Sequence, residues 1–418
     1  MSKLWQKQSN RDEARDLFCE FTTGNDYQLD GTYFIEYDII ASKAWAIALQ
    51  GCGIYTADEC AKIIRALDNI NKSYKSGTFS VRPEDEDCHT AIENALVLMT
   101  GEIGKKIHTG RSRNDQSLTM IRLFMRNSLC EFEEQLPLLI EKLADMSSRY
   151  QDDIFIGYSH TQQAMPITIG HYFNAFSEQF GDDMYYVGMI KQFINQCPLG
   201  TGAGFGSPLD VDRDMLSDML GFNTVQNNSL YCQNSRGKFE LLYIQCLSQI
   251  LLGIQKLATD MVFYTARELA LFKMSDSLSQ GSSMMPQKKN PDVFELIRAK
   301  TCDVMALEDK VKLILKGLPS GYNRDLQEIK ACIVDAHNIT HTVLHIMYNA
   351  LDHIKPDHVA IKKRLEKDIV SADFAISRCI QDPTLNFRDV YRESLSDIPH
   401  KPVEANGLRK SKGSPGNI

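Results

Sequence analysis

The sequence predicts an all-α chain built around long, bundled helices, and three observations carry that reading. Apolar residues recur at helical spacing through almost the whole chain. No proline interrupts the stretch between Pro208 and Pro286. From Phe239 to Tyr264 apolar side chains occupy nearly every face, the pattern of a helix enclosed by other helices. The chain divides into a small helical region over 1–106, a long-helix bundle over 107–355, and a short helical region with a polar tail over 356–418.

In the first region Thr56 and Glu59 form a capping box ahead of Ile63, Ile64, Leu67 and Ile70, and Gly51 and Gly53 close the preceding helix. The acidic run Glu84-Asp85-Glu86-Asp87 interrupts this region. The bundle opens with His108-Thr109-Gly110-Arg111-Ser112-Arg113-Asn114-Asp115-Gln116, running into Leu118, Ile121, Phe124, Met125 and Leu129 at helical spacing. Two arginines, an asparagine and two hydroxyls at the mouth of a helix form a cradle for carboxylates, which guanidinium groups grip bidentately. Helix stability alone does not select them, because positive charge opposes the dipole at an N-terminus. Pro137 should kink this helix.

The run Gly157-Tyr158-Ser159-His160-Thr161-Gln162-Gln163-Ala164-Met165-Pro166 reads as a short polar segment closed by a proline, with a helix from about Ile167 to Gln196 behind it. The glycine-rich stretch from Pro198 to Pro208 fits neither a dinucleotide nor a Walker pattern and follows no predicted strand, so it reads as a tight connection.

The most distinctive segment is Gly281-Ser282-Ser283-Met284-Met285-Pro286-Gln287-Lys288-Lys289-Asn290-Pro291. Asn290 reads as an N-cap and Pro291 as the first position of a helix carrying Val293, Phe294, Leu296 and Ile297. Ser282, Ser283, Lys288 and Lys289 thereby stand before a helix N-terminus, whose N–H groups and dipole hold anions. The residues alone leave two readings: an anion site, or a solvated Ser/Lys-rich loop before an ordinary helix. Gly317-Leu318-Pro319-Ser320-Gly321-Tyr322-Asn323-Arg324-Asp325-Leu326-Gln327-Glu328-Ile329-Lys330 supplies one more polar block. His337, His341 and His345 recur every four residues, but without a carboxylate on their helix face they read as an ordinary surface rather than a metal site. Beyond Pro356 come Ala372, Phe374, Ala375 and Ile376, then Asn386-Phe387-Arg388-Asp389, and a polar tail from about Pro399 that should be disordered.

These blocks, in this order, resemble the signatures of the fumarase/aspartase lyase superfamily and most closely its argininosuccinate lyase branch. Residues 108–115 match that branch's H-T-G-R-S-R-N-D stretch, residues 157–162 look like its G-Y-T-H-L-Q block, and residues 317–328 resemble its G-L-P…Y-N-x-D-L-Q-E block. The resemblance implies a three-domain all-α fold whose central bundle forms a twenty-helix core in a homotetramer, each active site being assembled from three subunits. It implies reversible β-elimination of argininosuccinate to arginine and fumarate, with no cofactor and no metal. Carried over residue by residue, Ser282 is the general base, Lys288 and Asn290 stabilise the dianionic aci-carboxylate intermediate, and His160 supplies or positions the acid for the departing nitrogen. Glu295 orients that histidine. Arg113, Asn114, Ser159, Asn290, Tyr322, Gln327 and Lys330 hold the substrate. Met165 stands where many members carry glutamine, and Ile329 where many carry aspartate. Residues 21–26 replace a segment that usually bears a substrate-contacting serine, and the C-terminal region looks like a shortened version of the family's.

With 418 residues, 43% hydrophobic content and a net charge of −8, the chain holds ample core for several domains. The acidic balance argues against nucleic acid or an anionic membrane as partner. No apolar run reaches the roughly 18 residues of a bilayer span, and Met1-Ser2-Lys3-Leu4-Trp5-Gln6-Lys7 is too polar for a signal peptide, which points to the cytoplasm. Eleven cysteines without a C-x-x-C pair read as reduced, small apolar fillers. The alternatives are a lyase acting on a related succinyl adduct such as adenylosuccinate, and a non-catalytic structural relative, which would be expected to lose Ser282 or His160.

Overall fold

The computed structural model describes residues 13–281 and 283–394. Ser282 and the tail from Pro399 lie outside the described residues. The fold is all-α: five long helices, Arg113–Arg149, Ile169–Ile194, Lys238–Thr265, Asp292–Leu315 and Ile329–Ala350, dominate it. The strands are short, each sheet having two.

The chain forms two compact units, each discontinuous in sequence. The first comprises Met1–Glu131, Tyr186–Leu247 and Asp303–Asn338; the second comprises Phe132–Tyr185, Ser248–Cys302 and Ile339–Ile418. In the first unit Trp45, Phe34, Ile39, Leu49, Ile63 and Leu67 are fully or almost fully buried. The Ala57–Lys75 helix starts on the expected capping box: Glu59 N–H donates to Thr56 Oγ1 at 3.2 Å and Thr56 N–H to Glu59 Oε2 at 3.0 Å. In the second unit an aromatic cluster forms the core, with Phe155 lying 5.7 Å from Tyr172, 5.2 Å from Tyr264 and 5.6 Å from Phe272 between ring centres.

Three expectations need correction. The segment around His160 is not a loop but the end of a β-hairpin, Ile154–Ser159 paired antiparallel with Gln162–Thr168. The pairing is broken by a bulge between Ile156 and Tyr158 and carries Pro166, which together mask the strand signal. The helix that follows therefore starts at Ile169. The Asp292–Leu315 helix is headed by the Pro291 carbonyl, which accepts from Phe294 N–H at 2.9 Å and Glu295 N–H at 3.2 Å, one residue beyond the cap read in sequence. Finally, the helical stretch Ser229–Thr265 is long and apolar enough to cross a membrane by length and composition. Much of it is core: Phe239, Tyr243, Leu247, Ile250, Ile254, Leu257 and Met261 have no exposed surface.

Candidate active site

The first unit gathers sequence-distant polar blocks around its arginines and Lys330. Arg113, the first residue of its helix, donates Nη1–H to Asp87 Oδ2 at 2.8 Å and Nη2–H to Thr90 Oγ1 at 2.6 Å. Asp87 in turn caps its own helix by accepting from Thr90 N–H at 2.8 Å. Lys330 is buried, its ammonium donating to Asp30 at 2.7 Å and paired with Asp26 at 3.0 Å. Burial works against that charge, but the two carboxylates outweigh it and hold the Lys330 ammonium well above the usual lysine range. Gln327 Nε2 and Arg324 Nη2 both donate to the Thr22 carbonyl, at 3.1 and 2.7 Å. The block at 317–330 is thus laced to residues 22–30, where sequence reasoning named no contact.

Asp115 accepts from Ser112 N–H at 2.9 Å, Gly200 N–H at 3.1 Å and Gly202 N–H at 2.9 Å. Burial pushes its carboxyl up to about 6 despite those donors. The glycine-rich stretch is therefore more than a connection, since its backbone is pinned to the start of the Arg113 helix. Behind it lies a buried network: Arg111 donates to Ser42 Oγ at 2.9 Å, Gln116 to Asp38 at 2.8 Å, and His89 Nδ1 sits 2.9 Å from Asp38. Burial alone would raise the Asp38 carboxyl, but His89 and Arg111 hold it below the usual range. Burial, with Arg111 and Arg113 adding to it, drives His108 down to about 4, so that imidazole is neutral near pH 7.

Asn114, Tyr322 and two residues missed in sequence complete this face. Asn234 Oδ1 accepts from Gly321 N–H at 2.7 Å, and the Arg236 guanidinium stands 4.8 Å above the Tyr322 ring while donating to the Asn114 carbonyl at 3.4 Å. The available signal was Arg236-Gly237 immediately before the apolar run from Phe239.

The second unit carries the groups assigned to the chemistry. Ser159 and His160 are exposed, and His160 and Thr161 turn the hairpin with φ of 53° and 59°. Gln280–Gly281 pairs antiparallel with Lys289–Asn290, which brings the described residues 283–288 to the end of a second, short hairpin. Lys289 is tied to Asp276, whereas Lys288 is exposed and forms no ion pair among the described residues. Glu295 is exposed one turn into its helix, and no hydrogen bond or ion pair joins it to His160 among the described residues.

Donor atoms of Asp30, Cys88 and His89 lie within 4.8 Å of one another and are the group able to hold a metal among the described residues. Asp30 is already engaged by Lys330 and by Cys88 N–H, and His89 by Asp38. His337 is turned inward, 2.6 Å from Ser128 Oγ and 3.8 Å from Glu131, while His341 and His345 are exposed.

Residues 9–306 match the model of the lyase family Lyase_1. The argininosuccinate lyase of Thermotoga neapolitana is 39% identical over 392 residues, covering 93% of this chain and 96% of that protein. The chain belongs to the argininosuccinate lyases. The argininosuccinate lyase of Phocaeicola vulgatus is 36% identical, over 95% of this chain and 87% of its own length. The fold of this argininosuccinate lyase family member is shared with more distant structures. A fumarate lyase:delta crystallin from Brucella melitensis superposes with a TM-score of 0.73 at 17% identity, over 97% of both chains. An EDDS lyase variant with bound fumarate gives 0.74 at 22% identity, over 90% of this chain and 74% of that one.

Proposed function

We propose that the protein splits argininosuccinate reversibly into arginine and fumarate, as part of arginine biosynthesis. The observation that carries this reading is the family match over nearly the full length of both chains; Lys288, Asn290, His160, Arg113 and Asn114 are the residues of this sequence proposed for the site. The hard step is removal of a proton from carbon beside a carboxylate. The dianionic intermediate needs preplaced positive charge and N–H donors. Lys288 fits that part because, unlike Lys289, its charge is not spent on a carboxylate among the described residues. In the proposed division of work Ser282 takes the proton, Lys288 and Asn290 hold the intermediate, and His160 serves the departing nitrogen with Glu295 orienting it. Arg113, Asn114, Ser159, Tyr322 and Gln327 hold the substrate, whereas Lys330, also assigned to it from the sequence, is buried and already paired with Asp26 and Asp30 and offers no free charge.

We propose a homotetramer, as the resemblance to the argininosuccinate lyases implies. Exposed apolar residues on the long helices supply the surface for it: Tyr185 is 73% exposed, Leu313 69% and Leu296 63%. The three-region division, a cytoplasmic location, and independence of nucleic acid and membrane belong to the same proposal. The test is the absorbance of fumarate after mixing the protein with argininosuccinate, adenylosuccinate, malate or aspartate. Fumarate with arginine from argininosuccinate alone supports the reading; release from adenylosuccinate instead, or silence on all four, overturns it.

A further inference from the structure

We propose that Arg236 is a further substrate-binding residue, gripping a carboxylate of the succinyl portion together with Asn114 and Tyr322; the proposal rests on the lyase reading above. Arg236 is 6% exposed, yet it has no carboxylate within ion-pair distance among the described residues. A buried guanidinium without a counter-ion is costly, and few such groups are kept without a reason. The acidic side chains that bear on it are engaged elsewhere: Glu240 accepts from Gly237 N–H at 2.6 Å, and Asp26 pairs with Lys330. Among the described residues its partners are a carbonyl at 3.4 Å and an aromatic face at 4.8 Å, neither of which neutralises a charge.

The backbone around it is fixed with unusual care. Gly237 has a φ of 80°, and a Cβ there would fall 2.3 Å from Leu315 Cδ2, so only glycine lets the chain pass. Ser235 is tied by its hydroxyl to the Cys232 carbonyl at 2.8 Å and receives Arg122 Nη2–H at 2.9 Å. Asn234 holds Gly321, beside Tyr322, at 2.7 Å. Residues 234–237 therefore lock one planar, forked cation against the ring of Tyr322 and the first turn of the Arg113 helix. Such a fork matches a carboxylate, whose charge would supply the missing counter-ion.

The experiment is calorimetric titration of fumarate into the full-length wild type and the Arg236→Lys and Arg236→Met variants, with argininosuccinate kinetics and melting temperature on the same preparations. Lysine keeps the charge and loses the fork, so this variant carries the test if Arg236→Met fails to fold. The expected result is at least tenfold weaker fumarate binding and a raised KM in Arg236→Lys, at a melting temperature near wild type. Unchanged fumarate affinity in a folded Arg236→Lys variant, or no saturable fumarate binding by wild type, overturns the proposal. Wild type that binds fumarate through Arg236 but leaves argininosuccinate intact would sink the lyase reading and leave the carboxylate site standing. Turnover of argininosuccinate with variants that bind fumarate normally would do the reverse.

Discussion

At the scale of single residues, charge burial governs both stability and site geometry. Asp30 has no exposed surface and its carboxylate is compensated by Lys330. Lys330→Met should therefore destabilise by about 3–5 kcal/mol, the cost of leaving a buried charge unpaired. Chemical denaturation checks this, and a loss below about 1 kcal/mol would show that water reaches Asp30. Asp115 gives a pH-dependent counterpart. Its folded-state pKa of about 6 lies above that of an unfolded aspartate, so the folded protein holds the proton more tightly. Its favourable contribution is present below about pH 4 and is lost as pH rises towards 6. The stability of the wild type relative to Asp115→Asn should fall across that window, as measured by denaturation at several pH values. A flat difference would contradict the buried carboxyl. Neither pair was legible in sequence, because Asp30 and Lys330 are 300 residues apart and no local pattern links Asp115 to Gly200 and Gly202. The capping box at Thr56 and Glu59 was legible because both halves of the interaction lie within one turn.

At the scale of elements, the long helices follow from unbroken 3.6-residue periodicity, and the one beginning at Arg113 runs on past Pro137 to Arg149. The His160 hairpin escaped notice because its bulge and Pro166 break the alternation on which strand recognition depends. Its turn also departs from the usual chemistry: two-residue turns with both φ values positive favour Asn-Gly, yet here they hold His160 and Thr161. A β-branched residue at φ 59° is strained by about 1–3 kcal/mol, so Thr161→Gly should raise the melting temperature. Thermal melting monitored by circular dichroism checks it; an unchanged or lower value would mean that the Thr161 side chain contributes packing that outweighs the strain. In the signature loop the sequence showed which residue types were gathered, but the distinction between its lysines came from the fold, since only Lys289 meets Asp276.

At the scale of the whole molecule, the two units divide the candidate machinery: residues 113, 114, 322, 327 and 330 belong to one, and residues 159, 160, 288, 290 and 295 to the other. The all-α architecture was readable from periodicity alone, whereas the interleaving of the units was not, since it depends on which distant stretches pack together. Tyr185 and Met189 on the Ile169–Ile194 helix and Leu296 and Leu313 on the Asp292–Leu315 helix are exposed apolar side chains. Light scattering should accordingly give a mass near four times the 47.4 kDa chain. A monomer at micromolar concentration would contradict a shared site.

If the loop preceding the Asp292 helix stabilises charge developed in the reaction, the turnover of argininosuccinate by Lys288→Met, measured beside wild type, shows it most directly. One preorganised donor or charge is worth roughly 10²–10³ in rate, so kcat should fall by about that factor while KM changes little. A Lys288→Met variant that releases fumarate at a near-normal rate would contradict that role.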